Sequence, residues 1–388
     1  MPHIQRELAG ELRRAGRDFR IVVVTGPRRS GKTTLLRRTF PKAAYRLLED
    51  PDELARIRSD PRGWLEDLAT PAIVDEIQNA PELIPYIRAR IDAAKGRRVM
   101  YLLTGSQDFT LMSDVSESLA GRAAIFSLLP LSWRELGSWD LVRGSYPEVV
   151  GRPRARALWL RSYVQTYLER DVRAVAAVRD LSVFRRFLSL VAARTGQVLN
   201  RSDIAAPLGV SVPTIAHWLS VLETTGVLLV VPPYFESFDK RLIKSPKLYF
   251  VDSGLACHLL GLESRLALER SPFLGPLFEG FVASEIVKNQ LNRGEARALF
   301  HFRDQQGLEV DFVLPPRDTR PLTFVEVKWT RTVTPEMATP MRRLMATTKA
   351  ESTRGIIVHR AARGEPSSLS VAPGVRAFGV ESFLRSDV

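Results

Sequence analysis

The run Thr25-Gly26-Pro27-Arg28-Arg29-Ser30-Gly31-Lys32-Thr33-Thr34 contains two glycines in fixed spacing ahead of a Lys-Thr pair. Residues of these types in this order can cradle a polyphosphate. Gly26 and Gly31 permit a tight turn whose N–H groups converge on phosphate oxygens. Lys32 can reach the β- and γ-phosphates of ATP, and the Thr33 hydroxyl is placed to ligate Mg²⁺. Pro27, Arg28, Arg29, Ser30 and Thr34 make up the rest of the binding loop. The elements needed to position it stand on either side: Ile21-Val22-Val23-Val24 reads as a buried strand and Leu35-Leu36-Arg37-Arg38 as a helix. The N-terminus of such a helix carries partial positive charge, which favours an anion.

Further along, Ala72-Ile73-Val74-Asp75-Glu76-Ile77-Gln78 is a short apolar strand ending in two carboxylates, the form of a Walker B segment. Asp75 would hold Mg²⁺, and Glu76 would polarise the water that attacks the γ-phosphate. A second concentration of chemistry lies near the C-terminus. Glu309-Val310-Asp311-Phe312-Val313-Leu314 and Leu322-Thr323-Phe324-Val325-Glu326-Val327-Lys328-Trp329 both read as strands. With a period of two, Glu326 and Lys328 share one face, while Val325, Val327 and Trp329 take the other.

An Asp on one strand and Glu-x-Lys on the next, after a helix bearing a carboxylate, resembles the PD-(D/E)xK nuclease core. The residue before Asp311 is Val310, not the proline of that motif's name. The resemblance implies that Asp311 and Glu326 bind Mg²⁺ or Mn²⁺ through oxygen and that Lys328 orients or deprotonates a water. Glu279 is the helical carboxylate of choice, a third metal ligand, with Glu285 as the alternative.

The strings Gly26–Thr33, Val74-Asp75-Glu76-Ile77-Gln78, Leu103-Thr104-Gly105-Ser106, Leu119-Ala120-Gly121-Arg122 and Pro130-Leu131-Ser132-Trp133-Arg134-Glu135-Leu136 occur in that order. Together they resemble the prokaryotic predicted ATPases of the AAA+ superfamily that carry a C-terminal domain of unknown function. Tyr167-Leu168-Glu169-Arg170-Asp171-Val172 and Phe250-Val251-Asp252-Ser253-Gly254-Leu255 resemble the second part of such chains. This likeness implies ATP hydrolysis, a γ-phosphate sensor at the end of the strand before Gly105, and an arginine finger. Among Thr104, Ser106 and Gln107, Ser106 fits the sensor best, and Arg122 is the candidate finger. Since such a finger acts on a neighbouring subunit, a homo-oligomer is implied, with a hexameric ring the default.

Between the two chemical centres, residues 181–231 read as helix, helix, turn, helix and strand, the layout of a winged helix-turn-helix. The third helix, from Val212 to Glu223, carries no Lys or Arg, which argues against base reading by it. His217 and Trp218 read as packing residues. Basic residues follow the wing instead: Lys240, Arg241, Lys244 and Lys247. The expected fold class is α/β. A P-loop ATPase domain occupies residues 1–150, a helical connector 151–180, a winged helix 181–262 and a PD-(D/E)xK-like α/β domain 263–388. Residues 367–370 read as loop and 381–388 as tail.

Composition agrees with this division. A chain of 388 residues exceeds one compact core, so two or three domains are expected. The net charge of +13 points to an acidic polymer as partner, most economically DNA. The single Cys257 excludes an internal disulfide and a multi-cysteine metal site. No apolar run approaches the ~20 residues that span a bilayer, and the polar N-terminus lacks a signal-peptide core. No membrane association and a cytoplasmic location are therefore expected. Two functional classes remain: an ATP-driven machine whose C-terminal domain cuts DNA, or an ATP-dependent switch or scaffold whose C-terminal domain only binds DNA or protein.

Overall fold

The computed structural model describes residues 4–94, 96, 98–105, 119–168, 180–234, 243–317, 320–348, 350–361 and 366–386. Its first layer is a parallel sheet of five strands, β1 (Ile21–Thr25), β2 (Ala44–Leu47), β3 (Ala72–Asp75), β4 (Tyr101–Thr104) and β5 (Ala123–Ser127), in the order β2-β3-β4-β1-β5. Strands covered on both faces read as unbroken apolar runs, and all of β1 is buried. Val22 and Val24 pack with Leu8, Leu12, Leu35 and Leu36 on one face. Ile21 and Val23 pack with Ile77, Ile84 and Ile87 on the other.

A hairpin of β6 (Leu228–Val231) and β7 (Lys247–Phe250) follows the helices Leu181–Ala192, Arg201–Ala205 and Val212–Thr224. The chain turns by 111° between the segments Arg201–Leu208 and Val212–Thr224, the range found in helix-turn-helix units. Ser211 caps the latter helix by accepting from the Thr214 N–H at 3.2 Å, and Gly226 at φ +71° ends it. The helix Arg201–Ala205 is capped by Asn200, which accepts from the Ser202 N–H at 3.1 Å. Trp218 is buried against Phe184 and Phe187 as expected. His217 is instead exposed, because the helix turns that face away from the core.

The second sheet orders its strands β12 (Leu369–Ala372), β13 (Val375–Gly379), β11 (Thr353–His359), β10 (Leu322–Lys328), β9 (Glu309–Leu314) and β8 (Phe300–Arg303). The β10–β11 and β11–β13 pairs are parallel and the others antiparallel. Two readings of the chain's end are corrected here. Leu369 and Ser370, read as loop, begin β12, and the tail forms the helix Val380–Arg385, held because Phe383 and Leu384 are buried.

One hydrophobic core joins the three helices ahead of the hairpin to this sheet. Phe184, Phe187, Trp218, Tyr249, Phe278, Val325, Val358 and Phe383 all belong to it. At its centre lies the helix Leu274–Asn292. Among the described residues no single helix is long and apolar enough to cross a membrane. Because the core is shared, Phe278→Ala, which empties a fully buried site, should cost about 3–5 kcal/mol. Hydrogen exchange should show amides of residues 184–222 and 322–358 losing protection together. Loss confined to either stretch would show that the two cores are independent.

Candidate functional site

The phosphate loop connects the C-terminal end of β1 to the helix Lys32–Thr39. Its backbone needs the glycines: Gly26 has φ +140° with the carbonyl of Leu128 where a side chain would begin, and Gly31 has φ +97°. Lys32 is buried, and its ammonium donates to the carbonyls of Gly26 and Pro27, both at 3.1 Å. Arg6 braces the loop from beneath, donating to the carbonyls of Ser30 and Leu129 at 2.7 Å and pairing with Glu135 at 2.8 Å.

Asp75, at the end of β3, accepts from three hydroxyls. Thr33 donates to both of its oxygens at 3.0 and 2.9 Å, Tyr45 to Oδ2 at 2.8 Å, and Thr104 to Oδ1. Burial, and then Asp75 itself, raises the Tyr45 pKa, so the phenol stays a donor. The Thr104 hydroxyl also accepts the Glu76 N–H at 3.1 Å, which holds Glu76 in its left-handed conformation at φ 59°. Arg28, Arg29, Lys32, Thr33, Asp75 and Glu76 line one cleft of about 940 Å³. Glu148, from the helix Pro147–Gly151, also faces this cleft, 3.8 Å from Arg29. Burial pushes its carboxyl pKa up.

A second cleft, of about 1160 Å³, opens on the other sheet and is lined by Asp311, Glu326 and Lys328. In the antiparallel pair of β9 and β10, Val325 faces Phe312, so Glu326 and Asp311 come one step further along. Asp311 Oδ2 accepts the Val327 N–H at 2.8 Å, and Lys328 donates to Glu326 Oε1 at 2.6 Å. Glu326 Oε2 is buried without a hydrogen-bond partner. Burial, and then Asp311, pushes the Glu326 pKa up to about 8 and that of Glu279 up to about 7.

The two helical carboxylates stand in different surroundings. Glu279 lies behind the cleft carboxylates, sharing its Oε1 with Lys247 at 3.0 Å and with the Tyr249 hydroxyl. Glu285 lies elsewhere: it accepts the Trp133 N–H at 2.6 Å and pairs with Lys288 at 2.9 Å. Lys247, which the sequence placed with the basic residues behind the wing, is buried among Glu279, Glu309 and Asp311. Three carboxylates compensate its desolvation; burial pulls its pKa down, but their field outweighs that and raises it. Among the described residues no three carboxylate, imidazole or thiolate side chains are grouped to hold a metal ion.

Arg122 pairs with Asp92 at 2.7 Å. It precedes Ala123, which faces Ile21, whereas the phosphate loop follows Thr25 at the opposite end of the sheet. It therefore stands away from its own chain's phosphate loop. Ser106 and Gln107, like Lys240 and Arg241, lie outside the described residues. Arg6, Tyr45, Glu148, Lys247 and Glu309 were not legible as site residues.

The Glu326 carboxyl holds a proton in the folded state over a range where the unfolded chain, at an ordinary 4.5, has lost it. Stability should therefore fall as pH rises from 4.5 through about 8. In chelator, the wild-type unfolding temperature should drop across this range by at least about 2 °C more than that of Glu326→Gln. Parallel profiles would exclude a buried proton on Glu326.

Comparison with known proteins matches residues 18–137 to a family described as AAA domain. Residues 140–266 and 274–373 match two domains of unknown function, DUF8612 and DUF4143. The uncharacterized proteins Rv2008c of Mycobacterium tuberculosis and Mb2031c of Mycobacterium bovis are each 34% identical over 350 residues, covering 87% of this chain and 76% of theirs. Among solved structures, the Walker-type ATPase PABY2304 of Pyrococcus abyssi aligns at TM-score 0.43 and 15% identity, over 65% of this chain and 94% of that one. The RuvB Holliday junction branch migration motor of Thermotoga maritima aligns at TM-score 0.31 and 16% identity, over 59% and 90%. The phosphate loop, its parallel sheet and the extended likeness to the mycobacterial proteins lead to one conclusion: the chain belongs to their family, with a P-loop ATPase domain of the AAA class at its N-terminal end.

Proposed function

We propose that the chain hydrolyses ATP at the phosphate loop and couples this to a metal-dependent, PD-(D/E)xK-like cleft that acts on DNA. The observation that carries the second half is the meeting of Asp311, Glu326 and Lys328 in one cleft beside Glu279. Asp311 and Glu326 fit a hard divalent cation: both offer oxygen, and Glu326 Oε2 is buried and unpaired. Glu279, engaged by Lys247 and Tyr249, stands behind that pair. A bound Mg²⁺ or Mn²⁺ would lower the pKa of a water and offset charge on a phosphodiester. Lys328 contributes an ammonium at the mouth of the cleft, placed to orient a water or a phosphate oxygen.

At the other site, Thr33 and Asp75 would hold Mg²⁺, Lys32 the phosphates, and Glu76 the attacking water. The 111° helical turn followed by a hairpin supports a winged helix-turn-helix. With only Val212, Pro213 and His217 exposed on its last helix, phosphate contact through the hairpin fits better than base reading. The charge of +13 supports DNA as partner. Arg122, directed away from its own chain's phosphate loop, supports a finger acting on a neighbouring copy. A second reading, a switch that binds DNA or protein without cutting, is favoured by the Lys247 ammonium among the cleft carboxylates.

Lys32→Ala should lower ATP turnover by about 10²-fold or more, while Glu76→Gln should retain bound ATP without turning it over. Unchanged turnover in both would exclude hydrolysis at this loop. Plasmid incubated with ATP and Mn²⁺ should be nicked by the wild type and not by Asp311→Ala; identical plasmid in both selects the switch. Mixing inactive Lys32→Ala with Arg122→Ala chains should recover part of the ATPase rate, and no recovery would argue against a finger in trans.

A further inference from the structure

Lys247 belongs to β7 in the hairpin behind the helix-turn-helix, yet its ammonium ends against Glu309 and Asp311, two carboxylates that line the cleft. Its ammonium lies 2.7 Å from Glu309, 3.0 Å from Glu279 and 3.5 Å from Asp311, with the side chain 2% exposed. A lysine is almost never buried to this degree unless it is paired. Here three carboxylates surround it in the way they would surround an inorganic cation. Asp311 belongs to this group through Oδ1, while its Oδ2 accepts from the Val327 N–H.

The far side of Asp311 is different. Glu326, only 7% exposed, turns Oε1 to Lys328 and leaves Oε2 buried with no hydrogen-bond partner. Both carboxylates line the open cleft. The cleft thus has one position answered by the protein's own positive charge and another whose oxygen is unanswered. A divalent ion entering the first position would have to meet the ammonium at contact distance, in a region where water screens little.

We propose that the Lys247 ammonium occupies one of two cation positions in the cleft, so that the C-terminal region takes a single divalent cation, on Asp311 and Glu326, instead of a pair. This rests on reading the cleft as a metal site. Its substrate side is thereby limited to one-metal chemistry, with the second charge supplied by a side chain that cannot be chelated away.

Electron paramagnetic resonance during Mn²⁺ titration counts the ions. The protein is the full chain carrying Asp75→Asn, so that the phosphate-loop site does not contribute. One Mn²⁺ per chain is expected, lost on adding Asp311→Asn. Lys247→Met should bind two, the first at least about tenfold more tightly because a like charge has gone, and Lys247→Arg should remain at one. Lys247→Met should also gain several degrees of unfolding temperature from Mn²⁺ where the Lys247 protein gains less. Two ions in the Lys247 protein, or no change in count and affinity in Lys247→Met, would overturn the proposal and leave the metal site standing. Mn²⁺ binding that is absent, or insensitive to Asp311→Asn, would remove the site itself. Should Lys247→Met fail to fold, the count on the Lys247 protein still decides between one ion and two.

Discussion

The helix Leu274–Asn292 is the strut on which both chemical centres hang, and its burial is the constraint that organises the molecule. Its 19 residues span roughly 28 Å at 1.5 Å each, and it is enclosed on most sides. Glu279 near its start holds Lys247, which in turn meets the cleft carboxylates. Glu285 and Lys288, one turn apart, form a pair that is only 4% and 3% exposed. A buried pair is costly unless its remaining hydrogen-bonding capacity is filled. Here the Trp133 N–H, the Leu131 carbonyl and the Ser145 hydroxyl fill it. The string from Pro130 to Leu136 is thereby fixed to the C-terminal half, and Asn292 reaches Glu7 beside the first helix.

The same segment closes the route back to the nucleotide. Glu135 caps its own short helix together with Ser132 and receives Arg6, whose other nitrogens hold the Ser30 carbonyl of the loop and the Leu129 carbonyl. The phosphate loop is therefore braced through a chain of charge-assisted hydrogen bonds that ends on the strut. On its open side, Asp75 gathers the Thr33, Tyr45 and Thr104 hydroxyls. These three hydroxyls fix the carboxylate's orientation, which is how a site stays preorganised.

How much of this was legible depended on sequence separation. The phosphate loop and the Asp75-Glu76 pair are contiguous and positioned by their own strand and helix, so their types and spacing sufficed. The period of β10 placed Glu326 and Lys328 on one face without any tertiary information. Lys247 shows the opposite case. It stands in a basic run and reads as a solvated surface residue, and only the approach of β9 and the strut reveals three carboxylates around it. Glu279 was the first choice and Glu285 the alternative on sequence; the sheet packed against one and the 131–145 segment against the other give them different partners. Arg6 and Glu148 reach the loop from outside the ATPase motifs, and no local pattern marks them. The closing helix was missed because Phe383 and Leu384 look like a frayed end until the core they enter is known.

Gly226, at the base of the hairpin, lies so close to Pro27 that a methyl group there would meet the ring at 2.8 Å. The turn between the helix Val212–Thr224 and the hairpin therefore rests directly on the proline ring at the rim of the phosphate loop. Interiors packed this tightly pass on small displacements instead of absorbing them. A shift of Pro27 would be felt first at Gly226, where the chain passes from helix to hairpin.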